Sequence, residues 1–182
     1  MKPPSLEALQ DRQAIMDLVH VYCRAADRRD QTLMRSLYHE DAIDDHGGFF
    51  SGPAMAFIDK LPDIQAPMRI LHHNITTSTV VQDGDYAEGE HYVLAYHQVE
   101  DNTAPLDLLI GGRYLDKYEK RDGDWKFTYR AVLADWATIN QPSTVDLTHP
   151  MIAGSHIGRA DTQDPSYQLF RLLQPGQPAP LP

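Results

Sequence analysis

Four long segments rich in Val, Ile, Thr, Tyr and Trp run through the second half of the chain with no helical pattern between them. They cover residues 70–82, 86–99, 106–120 and 124–137, and only short polar turns separate them: Asp83-Gly84-Asp85, the stretch around Asp101-Asn102, and Asp122-Gly123-Asp124. Connections this short cannot carry a chain back to the start of a parallel neighbour, so the four segments are expected to meander as an antiparallel sheet. Everything else in the fold has to cover one face of that sheet.

The first part of the chain supplies the cover. Ile15, Leu18, Val19, Tyr22 and Ala26 recur at helical spacing, which predicts a helix from Ser5, a candidate N-cap, to about Arg29. A second short helix is expected near Thr32–Tyr38, on Leu33, Met34 and Leu37. A third is expected after Ser51-Gly52-Pro53, burying Met55, Phe57, Ile58 and Leu61 and ending at Pro62. The piece Asp41–His46 reads as an additional strand. Helices first and strands afterwards define an α+β class, with helices packed on one face of a curved antiparallel sheet. Residues 1–140 form this domain. Residues 141–182 read as a C-terminal extension: irregular to Pro165, one or two helical turns over Ser166–Leu173, then a Pro-rich, disordered tail from Gln174.

A net charge of −10 argues against a nucleic-acid or anionic-membrane partner, because phosphates would be repelled. No apolar run approaches the roughly 20 residues that span a bilayer. One cysteine, Cys23, excludes an internal disulfide framework and fits a reducing compartment. The segment Met1–Ser5 lacks the apolar core of a secretory signal, so a cytoplasmic location is expected.

The stretch Leu71-His72-His73-Asn74-Ile75-Thr76-Thr77 places two of the nine histidines on opposite faces of one strand. The odd-numbered set Leu71, His73, Ile75, Thr77, Thr79 and Val81 is the more apolar, so it is expected to face the helices. His73 then points inward and His72 outward. An inward imidazole is either a satisfied core group or a chemical one, and a carboxylate partner would favour the second reading.

These residues belong to a set of ordered motifs. "YCRAADRRD" in the first helix, "DDHGGFFSGP", "LHHNITT", "GGRYLDKYEKRDGDWKF" and the following Arg130 together resemble the SnoaL-like family of the NTF2-like superfamily over roughly residues 6–137. The resemblance implies a cone: a strongly curved antiparallel sheet wrapped around the N-terminal helices, with a deep pocket. It also implies a cofactor-independent lyase of the dehydratase or dehydrohalogenase type, needing no metal or organic cofactor. In that reading His73 and Asp27 are catalytic, as a base and the carboxylate that orients it. Tyr22 and Arg130 bind substrate and stabilise the departing group. The implied substrate is a hydrophobic, cyclic or aromatic small molecule, and the implied assembly a homodimer or homotrimer. The same cone also hosts isomerases and polyketide cyclases using the same kind of base, and non-catalytic ligand-binding or accessory subunits.

Local geometry adds its own expectations. Five helical residues separate Asp27 from Tyr22 by about 140°, so one narrow stripe cannot hold both. Strict alternation turns Arg130 away from Trp125, Phe127 and Tyr129. Asp44-Asp45-His46 suggests a metal site, but a strand leaves only Asp44 and His46 on one face, so a further inward histidine such as His91 or His97 would be required. His46 is expected instead to line the pocket, and Trp136 to shape its mouth. Gly111-Gly112 marks a bend or bulge that lets the sheet curl.

Overall fold

The computed structural model describes residues 4–177. Ser5 begins α1 (Leu6–Asp27) as an N-cap, its side-chain oxygen accepting from the Ala8 N–H at 3.2 Å. Ile15 and Val19 lie at the centre of the buried stripe, and the buried Asp11 is satisfied by Lys120, Trp125 and Gln82. Asp30 caps the short α2 (Gln31–Ser36). There follow β1 (Tyr38–Asp45), β2 (Ser51–Pro53) and α3 (Ala54–Gln65). The second helix thus stops before Tyr38, which opens the additional strand instead.

Pro62 does not end the third helix, which continues to Gln65. The proline removes one intrahelical N–H. Tertiary contacts hold the last turn: Leu61 and Gln65 are buried, and the Gln65 amide donates to the Ala26 carbonyl at 3.2 Å.

The four long strands are β3 (Met68–Asp83), β4 (Tyr86–Val99), β5 (Leu106–Arg121) and β6 (Asp124–Asn140). Antiparallel pairing runs through all four, and β1 joins β6 in parallel, giving the order β2-β1-β6-β5-β4-β3. The sheet is curved and unclosed, the α+β cone expected of an NTF2-like fold, and its concave face receives α1 and α3. Two glycines permit the curl. A Cβ on Gly112 would lie 2.1 Å from the Leu133 carbonyl oxygen, and one on Gly111 the same distance from the Trp136 indole. The bulge itself falls opposite them on β6, where Ala134 and Trp136 pair with Gly112 and Gly111 and leave Asp135 over.

A second bulge, between Ile75 and Ser78, breaks the alternation in β3. Ser78 and Val80 turn inward, while Thr79 and Val81 face solvent, contrary to unbroken parity. The extension after Asn140 runs back along the sheet. Ser143 and Thr144 bond to the buried Asp107, and α4 (Pro165–Leu169) lies against the end of α1. This helix stops at Leu169, short of Leu173. The start of the Pro-rich tail is anchored, since the Gly176 N–H donates to Asp30 at 2.7 Å. Residues 178–182, the rest of that tail, lie outside the described residues, as do Met1–Pro3. Among the described residues no helix is long and apolar enough to cross a membrane.

Candidate functional site

Asp27 is the last residue of α1, where Arg29, in a left-handed conformation (φ 53°), turns the chain toward Asp30. Its buried carboxylate reaches the edge strand β3 at two points. One oxygen lies 2.6 Å from His73 Nδ1 and the other accepts the His73 backbone N–H at 3.1 Å. The ring and the strand are therefore held together. With Nδ1–H donating to the carboxylate, a neutral His73 carries its lone pair on Nε2.

That nitrogen lies 3.4 Å from Nε2 of His97 on β4, with the rings edge to face at 5.3 Å. Leu71 pairs with His97 and His73 with Ala95, so both histidines share the concave face. Burial first, and the neighbouring His73 second, push the His97 pKa down to about 4, leaving a neutral imidazole near pH 7. Sequence reasoning considered His97 only as a metal ligand. A usable signal was present, because Ala87, Gly89, His91, Val93, Ala95 and His97 form the inward parity of β4.

A cavity of about 610 Å³ opens beside the pair, between the C-terminal half of α1, the start of β3 and residues 147–160 of the extension. Cys23, Leu71, Ile152 and Ile157 contribute apolar wall. Burial pushes the Cys23 thiol up to about 12, so it stays protonated and unreactive. His72 lies on the opposite face from His73, as parity requires, yet it also borders the cavity. A space wrapping the sheet's edge strand is reached from both faces.

The remaining candidates lie elsewhere. Arg130 is fully buried in the interior of the cone, where Nε and Nη2 bond Asp116 at 2.8 and 2.7 Å. Its guanidinium lies over the rings of Tyr22, Tyr114 and Phe127 at 3.9, 4.2 and 4.3 Å. Arg130 therefore shares a face with Phe127, against strict alternation. The cause is a bulge at Thr128: Phe127 pairs with Tyr118 and Tyr129 with Lys117, so one residue goes unmatched. Tyr22 is sealed in this stack, and burial raises its pKa. The chain of contacts continues from Asp116 to the Tyr118 hydroxyl (2.8 Å), to His91 Nε2 (2.8 Å), and from His91 Nδ1 to Ser78 (2.9 Å). Within it Arg130 Nη1 has no partner.

His46 stacks on Phe57 with ring centroids 4.3 Å apart, and its Nε2 lies 2.7 Å from Asp44 without hydrogen-bond alignment. Trp136, 49% exposed, covers Gly111 on the outer face. Neither of these two, nor Tyr22 or Arg130, lines the Asp27–His73 cavity. The tertiary arrangement is responsible: the opening lies at the β3 edge, whereas β1 and β6 are on the far side of the sheet. Among the described residues no three His, Cys, Asp or Glu side chains are grouped to hold a metal ion.

This cone, with its acid from α1 and its imidazole from β3, has clear relatives. The SnoaL-like domain model matches residues 7–131, and the chain belongs to that family. It is 30% identical over 138 residues to γ-hexachlorocyclohexane dehydrochlorinase of Sphingobium indicum, covering 73% of this chain and 86% of that enzyme. A crystal structure of hexachlorocyclohexane dehydrochlorinase type 2 superposes with a TM-score of 0.70 at 24% identity, over 80% of this chain and 97% of the other. A scytalone dehydratase candidate from Novosphingobium aromaticivorans gives 0.66 at 23% identity, over 76% and 91%, a likeness of fold. The relatives matched in sequence are thus dehydrochlorinases, which are lyases.

Proposed function

We propose that this chain is a lyase that eliminates a proton and a leaving group from adjacent carbons of a small, largely apolar cyclic molecule, with His73 as general base. The observation that carries the reading is the two-point bond from Asp27 to His73, which in the neutral ring directs the lone pair of Nε2 toward the side of a cavity of about 610 Å³. Such a volume is within the usual range for small-molecule sites. In the reaction Nε2 takes the proton, the C–H electron pair becomes the new double bond, and the leaving group departs with its bonding pair. Asp27 holds the ring in the productive tautomer and stabilises the imidazolium that forms. A halide leaves as the anion and needs no proton; a hydroxyl does, and the proton that His73 Nε2 has just taken is the one available to it, since His97 is neutral. The extension after Asn140 acts as the outer wall of this site. The dehydrochlorinase relatives support the reaction class.

The test is a screen of halogenated and hydroxylated cyclohexanes and cyclohexenes, beginning with γ-hexachlorocyclohexane, on wild type and His73→Ala. Wild type is expected to release halide or water, and the variant to lose about 100- to 10,000-fold in rate, the usual weight of a general base. Turnover that survives the substitution removes His73 from the mechanism. Exchange of a substrate proton without loss of a leaving group replaces elimination by isomerisation.

A further inference from the structure

The charged side chains in the wall of the Asp27–His73 cavity are unbalanced: one carboxylate, Asp27, against the guanidinium groups of Arg24, Arg28, Arg69 and Arg159. Asp27 is also fully used, since both of its oxygens are bonded to His73. Three of the arginines have carboxylates of their own: Asp164 faces Arg28 at 3.5 Å, Glu100 faces Arg69 at 3.2 Å, and Asp161 faces Arg159 at 2.6 Å. Arg24 has none among the described residues.

Arg24 precedes Asp27 by three positions on α1, so the two side chains project from one face. Its guanidinium carbon lies 4.7 Å from the Tyr167 ring centroid, and Nη2 donates to the Ser166 hydroxyl at 3.3 Å. Both anchors belong to α4 and both are neutral, so they hold the group in place without cancelling its charge. Leu71, Leu147, Ile152 and Ile157 contribute apolar wall to the same cavity.

We infer that the cavity takes an apolar small molecule that carries a carboxylate, bound by Arg24, with its hydrocarbon part against the apolar wall. This rests on reading the cavity as the substrate site, and it narrows the substrate class from a neutral apolar molecule to an apolar acid. One uncompensated guanidinium matches one negative charge, and its planar fork suits a pair of carboxylate oxygens.

The experiment compares cyclohexanecarboxylate with neutral cyclohexanecarboxamide by calorimetry near neutral pH. Wild type is expected to prefer the acid by about 10- to 100-fold, the range of a hydrogen bond to a charged group, and the preference shrinks with added salt. Arg24→Gln abolishes the preference by weakening the acid far more than the amide, whereas Arg24→Lys keeps part of it. Tyr167→Leu, which removes the stack but not the charge, retains it. His73→Ala retains it too, so loss of the proton-abstraction reading is distinguishable from loss of this one. Equal binding of acid and amide overturns the inference, as does an Arg24→Gln variant that still prefers the acid. Tighter, Arg24-dependent binding of phenyl phosphate than of the carboxylate overturns the assignment to a carboxylate.

Discussion

His73 and His91 both point into the concave face of one sheet, and they meet opposite fates. His91 is completely buried with both nitrogens engaged, by Ser78 and by Tyr118, inside the polar chain that ends at Arg130. His73 has one nitrogen held by Asp27 and the other directed at His97 beside an open cavity. An imidazole locked at both nitrogens by short bonds is a structural part, while His73 is locked at Nδ1 only, and the long 3.4 Å contact of its Nε2 with His97 is one that a substrate can displace. The presence of histidine, aspartate and tyrosine together therefore separates nothing. What matters is whether the last hydrogen-bonding site is closed.

The sharpest way to break this contrast is to exchange the costs. His73→Ala is expected to cost activity by the factor given above and little stability, as read by thermal melting. Arg130→Met leaves the buried Asp116 without its cation and is expected to cost about 3–5 kcal/mol of stability in chemical denaturation. The turnover per folded molecule should stay within a factor of a few. Loss of turnover in a well-folded Arg130→Met protein would return Arg130 to the site.

His97 lies between the two cases. His97→Leu is expected to slow loss of a hydroxyl and of a halide by a similar, small factor, since its neutral imidazole can only support the orientation of the His73 ring. A loss confined to the hydroxyl would make it a proton donor instead.

A smaller and slower effect comes from pH. Burial holds both His91 and His97 near a pKa of about 4, against about 6.5 for an unfolded histidine. The unfolded chain binds more protons between those values. The stability of the fold is then complete above about pH 6.5 and falls as pH drops toward about 4. Melting temperatures across that window test the sign, and His91→Asn should flatten the slope. At the bottom of the scale, Trp136→Ala on the exposed outer face is expected to leave kcat and KM unchanged in steady-state assays. A change in either would bring the outer face into the site.

Much of this was legible along the chain, and the exceptions have identifiable causes. Parity in "LHHNITT" separates His73 from His72 because Leu71 and Ile75 stand on the same face and no bulge falls between them. The same rule misdirects Arg130, since Thr128 bulges between it and Phe127. It also misdirects Val81, which lies beyond the bulge after Ile75. A bulge costs a single residue and leaves no reliable mark in composition. His97 was legible as an inward histidine but not as the neighbour of His73, because that contact is a diagonal across two strands, set by register rather than by neighbours in sequence.

Period and turn chemistry, which act over a few residues, determined by themselves the α+β class, the four-strand meander, the N-cap at Ser5 and the inward direction of His73. Only the tertiary structure decided that Asp27 closes on His73, that Arg130 is taken up by Asp116, and that the extension walls the cavity and aligns Arg24 within it. Those contacts join residues 14 to 142 positions apart. Which of several carboxylates pairs with which base is settled by curvature and register, because opposite charges of the same kind are chemically interchangeable until the fold sets their distances.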